Sequence, residues 1–115
     1  MAKIELGFKT LPRVTVATAG VPVPLSAVPF FVLQCTVQFD GSNTGDAYIG
    51  ESDVTPTKCL VLNGSTPVLS FEAEDTAADE DNVGIDLNKV YVDGSVNGTS
   101  VFVAYTAITS VSYNG

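Results

Sequence analysis

Residues 30–54 read FFVLQCTVQF, DGSNTGD and AYIGESDV, and this stretch decides the fold class. In its first ten residues, apolar and polar side chains alternate. The predicted apolar side holds Phe31, Leu33, Cys35, Val37 and Phe39, and the polar side holds Gln34, Thr36 and Gln38. A period of two is typical of a strand whose sheet has one buried and one solvated face. The Gly- and Asn-rich residues 40–46 predict a tight loop, after which residues 47–50 return as an antiparallel strand.

The rest of the chain repeats this pattern of short strands and turn signals. Further strands are predicted at residues 13–18, 59–62, 67–74, 90–92 and 100–107. One helical turn is predicted at 85–89, a turn of type I′ character at Asn63-Gly64, and further turns at Asp93-Gly94 and Asn97-Gly98. Turn signals every 8–12 residues favour an all-β fold. We therefore predict a single antiparallel β-sandwich, jelly-roll-like, of seven to eight short strands. Residues 1–13 are predicted as an extended N-terminal arm, 14–107 as the sandwich and 108–115 as a C-terminal tail.

Length and charge limit the possible partners. A chain of 115 residues forms one domain that buries roughly two-thirds of its unfolded surface. The net charge is −8, and three of the five basic residues, Lys3, Lys9 and Arg13, lie in the predicted arm. Such an acidic body is repelled by phosphate backbones, so nucleic-acid binding is not expected. The basic arm is suited to an acidic neighbour.

The sequence gives no indication of secretion or membrane insertion. The first residues lack the apolar core of a signal peptide, and the apolar residues 17–33 are interrupted by Pro22, Pro24 and Pro29. Synthesis in a cytoplasm is expected. The two cysteines, Cys35 and Cys59, are interpreted as a buried free pair, with a disulfide and metal ligation as the alternatives.

Enzymatic chemistry has little support. The chain has no histidine, which removes the commonest general base and metal ligand. Glu72 and Glu74 share one side of a strand and could serve a glycosidase, but the region lacks the aromatic lining of a sugar cleft. The acidic residues 75–84 could bind calcium, although Val83 and Val90 stand where an EF-hand loop needs oxygen ligands. A solvated loop is the interpretation we prefer, and neither a catalytic residue, a metal nor a cofactor is predicted.

Three segments resemble small virion proteins of tailed bacteriophages. These are ATAGVPVPLSAVPFFVLQCTVQF (17–39), SNTGDAYIGESDVT (42–55) and VYVDGSVNGTSVFVAY (90–105). The resemblance runs from Val16 to Tyr105, about four-fifths of the chain, and consists of turn and strand segments rather than a catalytic signature. It implies a compact jelly-roll-type sandwich used as a capsid decoration (cement) protein, or as a head or tail accessory.

The resemblance also implies the partners. A cement protein binds the outside of a phage capsid and bridges neighbouring copies of the major capsid protein, often as a homodimer or homotrimer. The predicted contact residues are Lys3, Lys9, Arg13, Phe30, Gln34 and Gln38. The alternative is a tail or head-fibre module that binds a host surface or carbohydrate through tyrosines, for which Tyr48, Tyr91, Tyr105 and Tyr113 are the candidates.

Overall fold

The computed structural model describes residues 2–73 and 84–113, and it describes side chains for residues 7–73 and 84–107. The described chain is all-β with antiparallel pairing throughout. Its strands are β1 (Ala2–Thr10), β2 (Val14–Val16), β3 (Val23–Pro24), β4 (Phe31–Val32), β5 (Gln34–Phe39), β6 (Ala47–Gly50), β7 (Leu60–Leu62), β8 (Val68–Glu72), β9 (Ile85–Asp86), β10 (Tyr91–Gly94) and β11 (Thr99–Tyr113). A single 3₁₀ turn, Leu87–Lys89, confirms the predicted helical turn.

Two sheets form the layers of a sandwich. Sheet A has the order β1-β11-β5-β8, with β2 pairing on the same edge of β11 as β1, and sheet B has the order β3-β10-β6-β7. One layer then has the strands β2, β11, β5 and β8, and the other has β3, β10, β6 and β7. This is the strand order of a jelly roll, which has eight strands in two Greek keys. The sandwich prediction is confirmed. The short pair β4-β9 forms a separate two-stranded sheet.

The core lies between the inner faces of sheets A and B. Alternate residues of β5 and β11 are buried there, and the same period holds in β6. The buried apolar residues are Val16, Leu25, Val32, Cys35, Val37, Phe39, Ala47, Ile49, Val54, Leu62, Leu87, Val92, Val101, Val103 and Tyr105. Their burial is the main favourable term for folding, at about 25 cal/mol per Å² of apolar surface.

The predicted strand at residues 30–39 is wrong in one respect, because it is two strands that meet at Leu33. Cys35, Val37 and Phe39 are buried as expected, but N-terminal to Leu33 the buried position passes to Val32. β4 pairs with β9 outside sheet A, while β5 pairs with β11 and β8. Apolar residues at four successive positions, 30–33, leave the alternation ambiguous at this point, so the change of face could not be predicted from the pattern.

The predicted hairpin between residues 30–39 and 47–50 is also wrong. β5 belongs to sheet A, and β6 belongs to sheet B, where it pairs with β10 and β7. The loop at residues 40–46 therefore crosses from one layer to the other. Both strands have one apolar face, and packing those faces against each other buries more than pairing the strands side by side.

The predicted arm and tail pair with each other. β1 pairs with β11 from Ala2↔Tyr113 to Thr10↔Ala104, with a register shift between Glu5 and Leu6. Because β5 leaves β11 at Thr106, the ends of β1 and β11 continue as a two-stranded ribbon. The alternation of Ile4, Leu6 and Phe8 with polar residues and Gly7 was the signal for this strand.

Asn97-Gly98 forms the predicted turn, whereas Asn63-Gly64 differs from its type I′ prediction. Gly98 has φ of 84° and follows Asn97, whose φ is not positive, while the N–H of Thr99 donates to the carbonyl of Val96 at 3.4 Å. This pattern fits a type II turn. At Asn63 the side-chain oxygen accepts the N–H groups of Ser65 and Thr66, so a side-chain cap replaces the positive φ of a type I′ turn.

Strand β7 offers a test of how far the core extends between the two sheets. Leu60 and Leu62 point to the same side of β7, but Leu62 is 2% exposed and Leu60 is 58% exposed. We expect Leu62→Ala to lower the free energy of unfolding by about 2–5 kcal/mol because it leaves a cavity, and Leu60→Ala to lower it by about 0.5 kcal/mol or less. Urea unfolding measures both variants. Equal losses would contradict the placement of Leu62 in the core and of Leu60 at its solvent-exposed edge.

Candidate interaction surface

The side of sheet A that points away from sheet B forms one continuous surface, here called the outer face. Side chains reach it from four strands that lie side by side: Phe8 and Thr10 from β1, Phe102, Ala104 and Thr106 from β11, Gln34, Thr36 and Gln38 from β5, and Val68, Ser70 and Glu72 from β8. The cross-strand register aligns them in rows, such as Phe102 beside Gln38 and Gln38 beside Val68. The rows are fixed because the two central strands, β5 and β11, bury their alternate residues on the other side.

The outer face is unusually apolar and uncharged for this protein. Phe8 is 75% exposed, Val68 is 54% exposed and Phe102 is 43% exposed. Of the side chains described on the face, only that of Glu72 carries a charge, although the chain as a whole has a net charge of −8. Exposed apolar side chains gathered on one side, with the charges elsewhere, are typical of a protein–protein contact surface.

A shallow groove of about 380 Å³ runs across this face between the two phenylalanines. Its lining residues are Phe8, Thr10, Leu11, Thr36, Gln38, Phe102, Val103 and Ala104. The hydroxyl oxygens of Thr36 and Ser70 lie 3.0 Å apart and form a hydrogen bond across β5 and β8. The face thus combines apolar contact area with hydroxyl and amide groups that can bond to a partner.

An ion pair anchors one end of the outer face. Arg13 Nη1 donates to Asp40 Oδ2 at 3.0 Å, and the guanidinium carbon lies 5.7 Å from the centre of the Phe102 ring. Asp40 also accepts the backbone N–H and hydroxyl of Ser42 and the hydroxyl of Ser100. These bonds, the Ser42 N–H first, hold the pKa of the Asp40 carboxyl well below its usual range. The network joins β5, β11 and the segment before β2.

The structure separates the six predicted contact residues. Gln34 and Gln38 are exposed on the outer face, and Arg13 lies at its margin. Phe30 is half-buried and packs against the core, with its ring 4.9 Å from that of Tyr105 at 89°. Lys9 lies opposite Tyr105 in the register, so Lys9 and Phe8 project from opposite sides of β1. Lys3 pairs with Ser112 in the ribbon, and its side chain lies outside the described side chains.

Sequence reasoning missed the apolar residues of the outer face. In β11 the residues 101–105 read VFVAY, so Phe102 and Ala104 are apolar on the side opposite to the buried valines. A strand that is apolar on both sides indicates that both sides are covered. In β8, Val68 is likewise an apolar residue on the side of the strand that faces away from the core, where it lies beside Gln38.

Sheet B also has an outer side, and two of the four tyrosines lie there. Tyr48 and Tyr91 are half-buried and point away from the buried Ile49 and Val92. Val61, opposite Tyr48, is 41% exposed. Tyr105 is in the core, and the side chain of Tyr113 lies outside those described.

The cysteines and the acidic stretch are the other features that the sequence singled out. Cys35 and Cys59 are both free; Cys35 is buried, which raises its pKa to about 11, while Cys59 is half-buried. Within residues 2–73 and 84–113, no three Cys, Asp or Glu side chains form a metal-binding group. Of the acidic residues 75–84, only Gly84 is among the described residues, and Glu74 also lies outside them. In the same described part, no helix is long and apolar enough to cross a membrane.

Comparison of the chain with protein-family profiles, with curated proteins and with solved structures found no match in any of the three.

The Asp40 network predicts a pH dependence of stability. The pKa of Asp40 is lower in the folded than in the unfolded chain, so its contribution is complete above its usual pKa of 3.8 and is lost as the pH falls further. We expect Asp40→Asn to lower the Tm at pH 7, and the difference from wild type to shrink below about pH 4. Thermal unfolding followed by circular dichroism measures this.

The matched control is Asp53→Asn, which removes only an exposed pair with Lys58. A pH-independent difference for Asp40→Asn would contradict the network's role.

Proposed function

We propose that this protein is a non-enzymatic structural protein that binds a larger protein assembly through the outer face. The observation that carries the proposal is that Phe8, Phe102 and Val68 lie on a sheet surface whose one charged side chain among those described is Glu72, in an otherwise acidic chain. Aromatic residues dominate the energy of many protein interfaces, and charged residues are depleted from their centres. A flat sheet face is suited to a broad partner surface rather than to a small ligand.

The specific assembly that we propose is a bacteriophage capsid. The resemblance of residues 17–39, 42–55 and 90–105 to small phage virion proteins supports this assignment, and the jelly-roll order is an architecture found in viral capsid and lectin domains. Fold alone does not give function, so the outer face and the resemblance carry the argument. The protein would lie on the outer capsid surface, after synthesis in the host cytoplasm, with the major capsid protein as its partner.

The proposed role is that of a cement. A protein that binds only the assembled shell stabilises it by mass action, because disassembly must first release the bound copies. The ribbon of β1 and β11 extends sheet A beyond the end of β5 and increases its reach. Lys3 on this ribbon, and Lys9 on the side of β1 opposite to Phe8, are proposed contacts to acidic groups of a neighbour. Arg13 is already paired with Asp40, so we assign it to positioning Phe102 rather than to a direct ionic contact.

Binding to purified capsids tests the proposal. We expect Phe102→Ser and Phe8→Ser each to weaken co-sedimentation with capsids that lack the protein by about tenfold, because each variant removes an aromatic anchor. The control is Val28→Ser, which alters a 62% exposed residue outside the strands. The Tm of each variant shows whether it is folded.

A density map of the virus particle completes the test. The protein should lie outside the shell, with the outer face of sheet A against capsid protein. Recovery of the protein only in tail fractions, or full capsid binding by Phe102→Ser and Phe8→Ser, would contradict the proposal.

A second candidate is a tail or head-fibre module that binds a host carbohydrate. The observation that favours it is the pair Tyr48 and Tyr91 on the outer side of sheet B, since tyrosines present an apolar ring together with a polar group. Under this alternative, Tyr48→Ala and Tyr91→Ala would abolish binding to a glycan array or host cells, and Phe102→Ser would leave it unchanged. Absence of wild-type binding in both assays would remove this candidate.

A further inference from the structure

Among the strands of residues 2–73 and 84–113, β8 is at the edge of sheet A, and its hydrogen-bonding pattern shows which of its backbone groups do not bond to β5. The N–H of Phe39 donates to the Pro67 carbonyl at 2.7 Å, and the N–H of Ala73 donates to the Leu33 carbonyl at 2.8 Å. Because bonded and non-bonded pairs alternate in an antiparallel ladder, Leu69 and Phe71 also bond to β5. The N–H and C=O groups of Val68, Ser70 and Glu72 therefore point away from β5, and within the described chain no backbone bond reaches them.

The apolar side of this edge is open as well. Leu69 and Phe71 face the core but are only half-buried, whereas Cys35 and Val37 beside them on β5 are fully buried. They line a cleft of about 370 Å³ that lies between the edge strands of the two sheets. The other lining residues are Ile49, Gly50, Glu51, Lys58, Cys59, Leu60 and Val90. The sandwich thus leaves core-facing side chains of one edge strand accessible to solvent.

The sequence of β8 is complementary to itself. If two copies of β8 pair antiparallel with Ser70 opposite Ser70, then the outward backbone groups of Val68, Ser70 and Glu72 all find partners, giving about six hydrogen bonds. In this register Leu69 lies opposite Phe71 of the second copy, so the apolar side chains meet over the two clefts. Each Glu72 lies opposite a valine, about 14 Å from the other Glu72.

The charge of the protein favours this edge for self-association. Two copies with a net charge of −8 repel each other, so a stable contact requires a surface without facing acids. The edge presents Val68, Leu69, Ser70 and Phe71, and its one acid, Glu72, avoids its counterpart in the self-paired register. Leu60, which is 58% exposed and lines the same cleft as Leu69 and Phe71, adds apolar area beside the pairing strand.

From this geometry we propose that the protein forms a two-fold symmetric dimer by antiparallel pairing of β8 with β8 of a second copy. Opposed residues of an antiparallel pair point to the same side, so the two outer faces become one continuous surface with a two-fold axis through Ser70. The dimer itself does not depend on the proposed function. Its consequence does: if the outer face binds capsid protein, one dimer contacts two neighbours and bridges them.

Site-specific crosslinking tests the register. All variants carry Cys59→Ser, so that the buried Cys35 is the only natural thiol. In the proposed dimer the two Ser70 Cα atoms are about 5.5 Å apart, which is within disulfide range. We therefore expect Ser70→Cys to form a covalent dimer of twice 12.0 kDa under mild oxidation. The matched control on the same strand, Val68→Cys, should not crosslink, because its counterpart is about 14 Å away.

Charged substitutions of either sign at Val68 test the pairing without a crosslink. Val68→Glu opposes Glu72 of the second copy and should weaken dimerisation about three- to tenfold by sedimentation equilibrium at low salt, whereas Val68→Lys opposes an acid and should not. The same changes at Val28, which is exposed and lies outside the strands, correct for net charge. The difference should largely disappear in about 1 M salt.

Three results would overturn the proposal. They are a wild-type chain that stays monomeric up to millimolar concentration, equal crosslinking by Ser70→Cys and Val68→Cys, and equal effects of Glu and Lys at position 68. A monomeric chain in which Ser70→Pro, but not Ser70→Ala, abolishes capsid binding would also contradict the dimer. In that case β8 pairs with a strand of the capsid protein, because proline removes the backbone N–H that such pairing needs. Loss of capsid binding by Phe102→Ser with the dimer intact separates the outer face from the edge.

Discussion

The pairing of β5 with β11 is the contact on which the rest of the structure depends. These two central strands of sheet A bury Cys35, Val37 and Phe39 beside Val101, Val103 and Tyr105. Each of the other strands of sheet A pairs directly with one of them, and sheet B packs over their apolar side. A one-residue slip of either strand would turn its apolar residues to the solvent, so burial fixes the register.

The same constraint determines what the opposite side presents. Since the buried side of each strand is set by the core, Phe102, Gln38 and Val68 must project together from sheet A. The Arg13–Asp40 pair then neutralises two charges at the end of this surface and places a guanidinium over Phe102. The uncharged outer face and the open edge at β8 lie on one sheet. The two proposals, capsid binding and dimerisation, are therefore compatible with each other.

The sequence allowed prediction of the strands themselves better than of their partners. The period of two gave the buried residues 35, 37 and 39 and the strands at 47–50 and 67–74, because alternation is a local property. It did not show that the loop at 40–46 connects two sheets, since a hairpin and a crossover use the same turn residues. The pattern also led to the prediction of an arm and a tail at the termini. In the structure, residues 2–10 and 104–113, which are at opposite ends of the sequence, pair with each other.

For the candidate site, Gln34 and Gln38 were predicted because they occupy the polar side of an evident strand, whereas Phe8 and Phe102 were not. An exposed aromatic residue has the same local pattern as a buried one, and only the position of the second sheet tells them apart. The sequence by itself determined the all-β class, the acidic and histidine-free chemistry and the alternation of each strand. The tertiary structure decided which strands share a sheet, which apolar residues remain exposed and which edge is open, because these depend on contacts between residues far apart in the chain.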